Sequence, residues 1–250
     1  MRIYAVSDLH MEYKENRRWV DDLPRAEFRK DVLILAGDVT DDLNLLEETF
    51  QELKNRFYQV HYIPGNHDLW VRHGKGIDSL EKHKLVQAVS RSCRVWMEPG
   101  DYGDVSIIPL YAWYDYSFGE PNERILEIWS DYYACRWPAG VDEKQATRYF
   151  IEINREHLKK RNKWVISFSH FLPRIDLMPS YIPPEKRDIY PVLGTALLEK
   201  QIRCLGADIH VFGHTHVNTT VVIDDVTYIN NALGYPHEKR ISARELKRVF

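Results

Sequence analysis

Three cysteines in 250 residues is a thin supply, and Cys93, Cys135 and Cys204 stand far apart and odd in number. That spacing excludes a disulfide framework and a cysteine-based zinc pattern, and it suits free or buried thiols in a reducing cytoplasm. No apolar run approaches the roughly 18 residues that a membrane span needs. The N-terminal MRIYAVSDLH enters a strand at once, without signal-peptide architecture. Neither sign of charge dominates: 34 Lys and Arg against 37 Asp and Glu give a formal −3. Nothing in that balance points to nucleic acid or an anionic membrane. Repeats and low-complexity tracts are missing too. With 44% hydrophobic and 28% charged residues, the expectation is one soluble, cytoplasmic domain over 1–250 with a full core.

What does recur is a short apolar run that stops abruptly in polar residues. RIYAV leads to Ser7, Asp8 and His10, and DVLILA to Gly37 and Asp38. QVHYI leads to Pro64, Gly65, Asn66, His67 and Asp68. WVISF leads to Ser169 and His170, and DIHVF to Gly213, His214 and His216. Such runs suit buried strands covered on both faces. Segments with helical spacing, Leu43–Arg56 and Lys144–Lys160, lie between them, which implies a layered α/β fold. Ligands in such folds collect beyond the carboxyl ends of the strands. TTVVI and VTYIN, separated by Asp224-Asp225, read as a hairpin.

Two regions break the alternation. An insert at about 112–162 is dense in aromatic residues, Trp113, Tyr114, Tyr116 and Trp129 among them, and a loop at about 171–191 carries five prolines. Either they form an aromatic mini-core under a surface loop, or they wall a site. On the second reading, alanine at Trp113 and Tyr114 raises KM without unfolding the protein.

The polar ends of the five runs supply Asp8, His10, Asp38, Asn66, His170, His214 and His216. On an extended chain, residues i and i+2 share a side, so Asp8 with His10, and His214 with His216, can each aim two donors into one space. Imidazole, carboxylate and amide donors without thiolate suit Mn, Fe or Zn. Seven protein donors exceed the three or four around one catalytic zinc, so two divalent or trivalent ions are expected, with Asp38 able to bridge them. Such a pair makes a bridging hydroxide and clamps the attacking and leaving oxygens of an in-line displacement at phosphorus. His67 could protonate the departing alkoxide, with Asp68 orienting its ring. His61, His73, His83, His157, His210 and His237 are read as structural or solvated.

The blocks SDLH, GDVTD, GNHD, SH and GHTH, in that order over residues 5 to about 232, resemble the calcineurin-like metallophosphoesterase family. The resemblance implies a four-layer α/β/β/α sandwich of two mixed sheets flanked by helices. By position it implies Asp8, His10 and His216 on one metal, Asn66, His170 and His214 on the other, and Asp38 bridging. His67 matches the family's proton-donating or phosphate-contacting histidine, with Asp68 behind it. GDVTDD lacks the arginine and glycine that follow this block in serine/threonine protein phosphatases, and Asp68 stands where those carry glutamate. His170 follows Ser169 rather than the glycine common in cyclic-nucleotide phosphodiesterases of the superfamily.

The expected activity is metal-dependent phosphodiester hydrolysis of a small substrate, with a base or other planar group stacking on the insert. A phosphomonoesterase is the alternative, because a dianionic monoester favours extra cations, and Arg72, Arg174 and Arg187 lie in loops near the blocks. A nuclease is disfavoured by the charge balance. The basic C-terminal HEKRISARELKRVF reads instead as the solvated face of a terminal helix or strand. A non-catalytic scaffold or metal sensor on the same fold is the remaining reading.

Overall fold

Every one of the five apolar runs becomes a strand. The computed structural model describes residues 1–72, 76–159 and 162–250. In it β1 (Ile3–Val6), β2 (Val32–Leu35) and β3 (Gln59–Tyr62) run parallel, in register Ile3–Val32–Gln59 at one end and Val6–Leu35–Tyr62 at the other. All twelve of these residues are buried, which is why the runs are apolar on both faces. A second sheet has β4 (Gly100–Tyr102), β5 (Val105–Pro109), β6 (Trp164–Phe168), β7 (Ile209–Phe212), β8 (Thr219–Ile223) and β9 (Val226–Asn230), in the order β4-β5-β6-β7-β9-β8. Its four inner strands are parallel and its two edges antiparallel. Asp224 and Asp225 turn the β8–β9 hairpin with φ of 47° and 66°, the left-handed pair that a two-residue hairpin requires. The C-terminal basic stretch contributes a two-residue strand, β10 (Lys247–Arg248), antiparallel to β1.

Helices flank the two mixed sheets: α1 (Lys14–Asp21), α2 (Leu43–Lys54), α3 (Ser79–Ser92), α4 (Glu123–Ile128), α5 (Asp131–Ala134), α6 (Glu143–Ile153) and α7 (Ala196–Leu205). Their starts are written locally. Asp42 caps α2 by accepting the Asn44 and Leu45 amides, and Asp78 with Glu81 and Asp142 with Gln145 form capping boxes on α3 and α6. α2 buries Leu46, Thr49, Phe50 and Leu53, the i, i+3, i+4, i+7 stripe. Each such aliphatic side chain contributes roughly 1.5–3 kcal/mol on burial. The helical spacing over Lys144–Lys160 ends earlier than the sequence suggests. α6 tightens into a 3₁₀ turn at Asn154–Glu156, where the buried Asn154 amide bonds both backbone polar groups of Tyr111 and the Gln201 side chain. The end of that segment and His73 lie outside the described residues. Among those described, no helix is long and apolar enough to cross a membrane.

Of the two readings of the insert, the packed mini-core holds for Trp113 and Tyr114. Trp113 and Tyr114 are fully buried, and Trp113 packs between Trp137 and Phe171 with ring centroids 5.0 and 5.1 Å away. A side chain without solvent exposure cannot stack on a substrate. The expected rise in KM on alanine substitution therefore gives way to a stability effect.

Candidate active site

The seven donors collect where β1, β2, β3, β6 and β7 end. Extended chain was expected at the two i, i+2 pairs, and here the backbone differs. Asp8, His10, Asp38, His214 and His216 all have left-handed φ, between 43° and 69°. Non-glycine residues adopt that region at a cost, and clusters of them mark functional sites. The curl separates His214 from His216: ligand atoms of Asp8, His10 and His216 lie within 4.8 Å of one another, and those of Asp38, His170 and His214 form a second such group. Asn66 joins the second group, with Oδ1 3.1 Å from His170 Nε2. Space for this is made by glycine. A Cβ on Gly65 would lie 2.1 Å from Asp38 Oδ1, and one on Gly37 (φ 86°) would lie 2.5 Å from His170 Nδ1.

Whether these donors fit metal ions can be tested on their nitrogens. His170 Nδ1 donates to the Ala36 carbonyl at 2.9 Å, His214 Nε2 to the Val192 carbonyl at 3.1 Å, and His216 Nδ1 to Glu238 at 2.6 Å. Each ring thus holds its proton outward, as metal-binding histidines do. The inward nitrogens of His170 and His214, Nε2 and Nδ1, then face each other bare at 3.2 Å, while His10 Nε2 lies 3.0 Å from His216 Nε2 and His10 Nδ1 is buried without a hydrogen bond. Opposed lone pairs repel unless a cation lies among them. The electrostatics agree. Burial pulls His170 down to about 4 and His214 to about 3, leaving neutral rings. Burial, with the Asp8 and Asp68 carboxylates close by, pushes Asp38 well above the carboxylate range. His216 is carried up to about 10 against its burial by Asp8 and Glu238. The residues fit metal ions.

His67 and Asp68 divide differently from expectation. The His67 amide donates to Asp38 Oδ1 at 2.9 Å, and its ring Nε2 lies 3.8 Å from Asp38 Oδ2. Asp68 does not stand behind the ring. Its carboxylate is engaged by the backbone amides of Asp38, Val39, Thr40 and Gly65 at 2.8–3.0 Å, clasping the loops after β2 and β3. Being buried, it takes hydrogen bonds where it finds unsatisfied donors. The ring of His67 is instead stacked on Trp70, centroids 3.6 Å apart and planes at 27°. Burial, then the surrounding imidazoles, hold His67 well below the usual histidine range.

Several neighbours left no mark in the sequence. Tyr235 lies 4.4 Å from the His10 ring and 4.8 Å from that of His216. Glu238 is hidden inside the basic C-terminal stretch, and Trp70, only two residues beyond GNHD, carries no periodic signal. Of the histidines set aside, His61 bonds Tyr102, His83 is buried against Tyr111 and Phe150, His157 bonds Pro109 and Glu98, and His210 is held by Ser167 and Ser169. His237 is exposed and stacks on Tyr235.

Comparison with known proteins gives the family. An [acyl-carrier-protein] phosphodiesterase, PptH, of Mycobacterium tuberculosis is 26% identical over 95% of this chain and 79% of its own length. An uncharacterised protein of Acanthamoeba polyphaga mimivirus is 23% identical over 96% and 93%. The crystal structure of the phosphopantetheinyl hydrolase PptH from M. tuberculosis superposes with a TM-score of 0.84 at 22% identity, covering all of this chain and 95% of that one, and shares its fold. The profile of the calcineurin-like phosphoesterases matches residues 1–218. The chain belongs to that family, and is a metal-dependent hydrolase of phosphoester bonds.

Proposed function

We propose that this chain is a phosphodiesterase whose substrate is a phosphopantetheinyl group carried on acyl carrier protein. The observation that supports a diester concerns the arginines that could, among the described residues, meet a further anionic charge. A monoester brings a second negative charge, and the arginines considered for it are occupied. Arg174 is held by Asp176, Glu199 and Asp224, and Arg187 by the Ile182 and Ser180 carbonyls. Arg72 stands over the Trp70 ring at 4.4 Å while bonding Asp41 at 2.9 Å. The name of the M. tuberculosis relative supports the larger substrate, and it enlarges the small-molecule expectation to a phosphoester on a protein. A cytoplasmic setting goes with this reading, since Cys93, Cys135 and Cys204 are all free.

Asp8, His10 and His216 would hold one cation, Asn66, His170 and His214 the other, with Asp38 shared; Mn, Fe or Zn suits the set. Bound, the pair supplies Lewis acidity and an activated water. The residues of the chain do the rest. The outward hydrogen bonds of the three histidines fix each ring's tautomer and aim. Trp70 sets the plane of His67, whose ring N–H would serve a phosphoryl or leaving oxygen. The left-handed turns at Asp8, Asp38 and His214 hold all of this before substrate arrives.

The test is incubation of the Mn²⁺-loaded protein with phosphopantetheinylated acyl carrier protein, read by intact mass, beside a bis-aryl phosphate and its matching monoester. Loss of the phosphopantetheinyl mass and faster diester cleavage are expected. Cleavage of the small diester with intact carrier protein removes the proposed substrate, and faster monoester cleavage overturns the diesterase reading. A second expectation concerns Gly65→Ala, whose methyl group displaces Asp38 and His170. Circular dichroism should stay native while kcat/KM falls about 10²-fold or more, the scale of an ångström-level misplacement. Native kcat/KM would show that the cradle tolerates the shift.

A further inference from the structure

The Asn66 amide has a partner on its far side that belongs to neither donor group. Asn66 Nδ2 donates to Asp131 Oδ1 at 2.9 Å, and Asp131 also accepts Trp70 Nε1 at 2.7 Å and Trp129 Nε1 at 2.8 Å. Asp131 is 2% exposed and opens α5, inside the aromatic insert. An ionised carboxylate can only accept, so the amide nitrogen must face it and Oδ1 must face His170. An amide free to flip would present its N–H₂ to that space half the time, and an N–H₂ cannot bind a cation.

The two indoles extend the same control. Trp70 is the ring on which His67 stacks, and Trp129 meets the His214 ring edge-on with centroids 5.9 Å apart. One carboxylate therefore touches the supports of three site residues. Its own position is secured by backbone. Val71 N–H donates to the Ala134 carbonyl at 2.8 Å and Ser79 N–H to that of Arg136 at 2.7 Å, tying the loop after β3 to the end of α5 and the start of α3 to the residues that follow α5.

We infer that Asp131 is a positioning residue, which holds the Asn66 amide with its oxygen toward the second cation and sets Trp70 and Trp129 behind His67 and His214. The inference rests on the reading of Asn66 as a ligand. It also gives the insert a role in the chemistry, since its buried aromatic cluster anchors a carboxylate from beneath the site.

The experiment compares the full-length protein with Asp131→Asn, Asn66→Ala, Asn66→Asp and the double exchange Asn66→Asp/Asp131→Asn. Bound Mn is counted by elemental analysis, and its electron paramagnetic resonance separates coupled pairs from single ions. Asp131→Asn must set N–H₂ either against Trp129 Nε1 or against both Asn66 Nδ2 and Trp70 Nε1, and it removes the charge that holds all three donors. It should fall from two Mn per chain to about one, exchange the coupled spectrum for a mononuclear one, and lower kcat about 10- to 100-fold, as outer-shell changes do. Asn66→Asp alone opposes two buried carboxylates and should also lose the second ion. The double exchange restores a donor–acceptor pair between positions 66 and 131, at the cost of setting N–H₂ against Trp70 Nε1, which shares that oxygen, and should regain the second ion at least in part, a recovery that a packing role does not produce. The double exchange also keeps the test open if Asp131→Asn fails to fold. Two ions and a coupled spectrum in Asp131→Asn, or no recovery in the double exchange, overturn the inference. Two ions in Asn66→Ala would instead remove Asn66 from the ligands and leave Asp131 with no ligand to position.

Discussion

Asp38→Asn is expected to fold and to lose bound metal and turnover together, while His67→Asn keeps its metal and loses about 10²–10⁴ in kcat. The contrast follows from what each side chain touches. Asp38 is fully enclosed; one oxygen takes the His67 amide at 2.9 Å and the other faces His170 Nε2 at 3.5 Å. Asparagine keeps the shape, yet it must turn N–H₂ toward either the His67 amide or the ligand space, and it removes a full negative charge. A side chain that would be shared by two cations needs that charge and an oxygen free of donors on the ligand side. His67 has its ring on Trp70 at the edge of the site, so its loss removes a proton-carrying group without a ligand. Elemental analysis beside kcat, with thermal unfolding as the check on folding, reads both variants. Two ions and normal turnover in Asp38→Asn would end its assignment as the shared ligand. Metal loss in His67→Asn would move that histidine into the ligand set.

Trp113→Ala is expected to be the most destabilising single change, at about 3–5 kcal/mol, because a buried aromatic ring leaves a cavity its neighbours fill only partly. For a chain of this size that corresponds to a fall of roughly 6–20 °C in Tm. The ring packs on Trp137, Tyr114 and Phe171, and Phe171 in turn lies 4.9 Å from the His214 ring. Activity below the new transition should fall as well, because the contact reaches a site histidine through a single residue. Differential scanning calorimetry decides it. A Tm within a degree or two of the parent, with raised KM, would return Trp113 to the substrate side.

The five strands and the donor at the end of each were legible because both signals are local. A strand buried on both faces writes itself as a continuous apolar run, as Val32–Leu35 does, and its polar terminus follows within a few residues. The hairpin at Asp224-Asp225 was legible for the same reason. Other features depended on partners far away in the chain. Asp68 follows His67 directly, which suggested a role behind that ring, yet its oxygens meet amides at positions 38–40 and 65. Asp131 is 65 positions from Asn66 and sits among aromatic residues with no motif around it. Glu238 reaches His216 across 22 positions, hidden in a stretch whose net charge is basic.

Residue type and adjacency were therefore enough for the layered α/β class and for naming the seven side chains that collect at the strand ends. Spacing left open which donors stand together; the family resemblance already parted His214 from His216, and the folded chain does so through left-handed turns that send them to different groups. What orients them was settled there too, because a hydrogen bond between distant residues depends on where the folded chain brings two side chains, and spacing along the chain leaves that open.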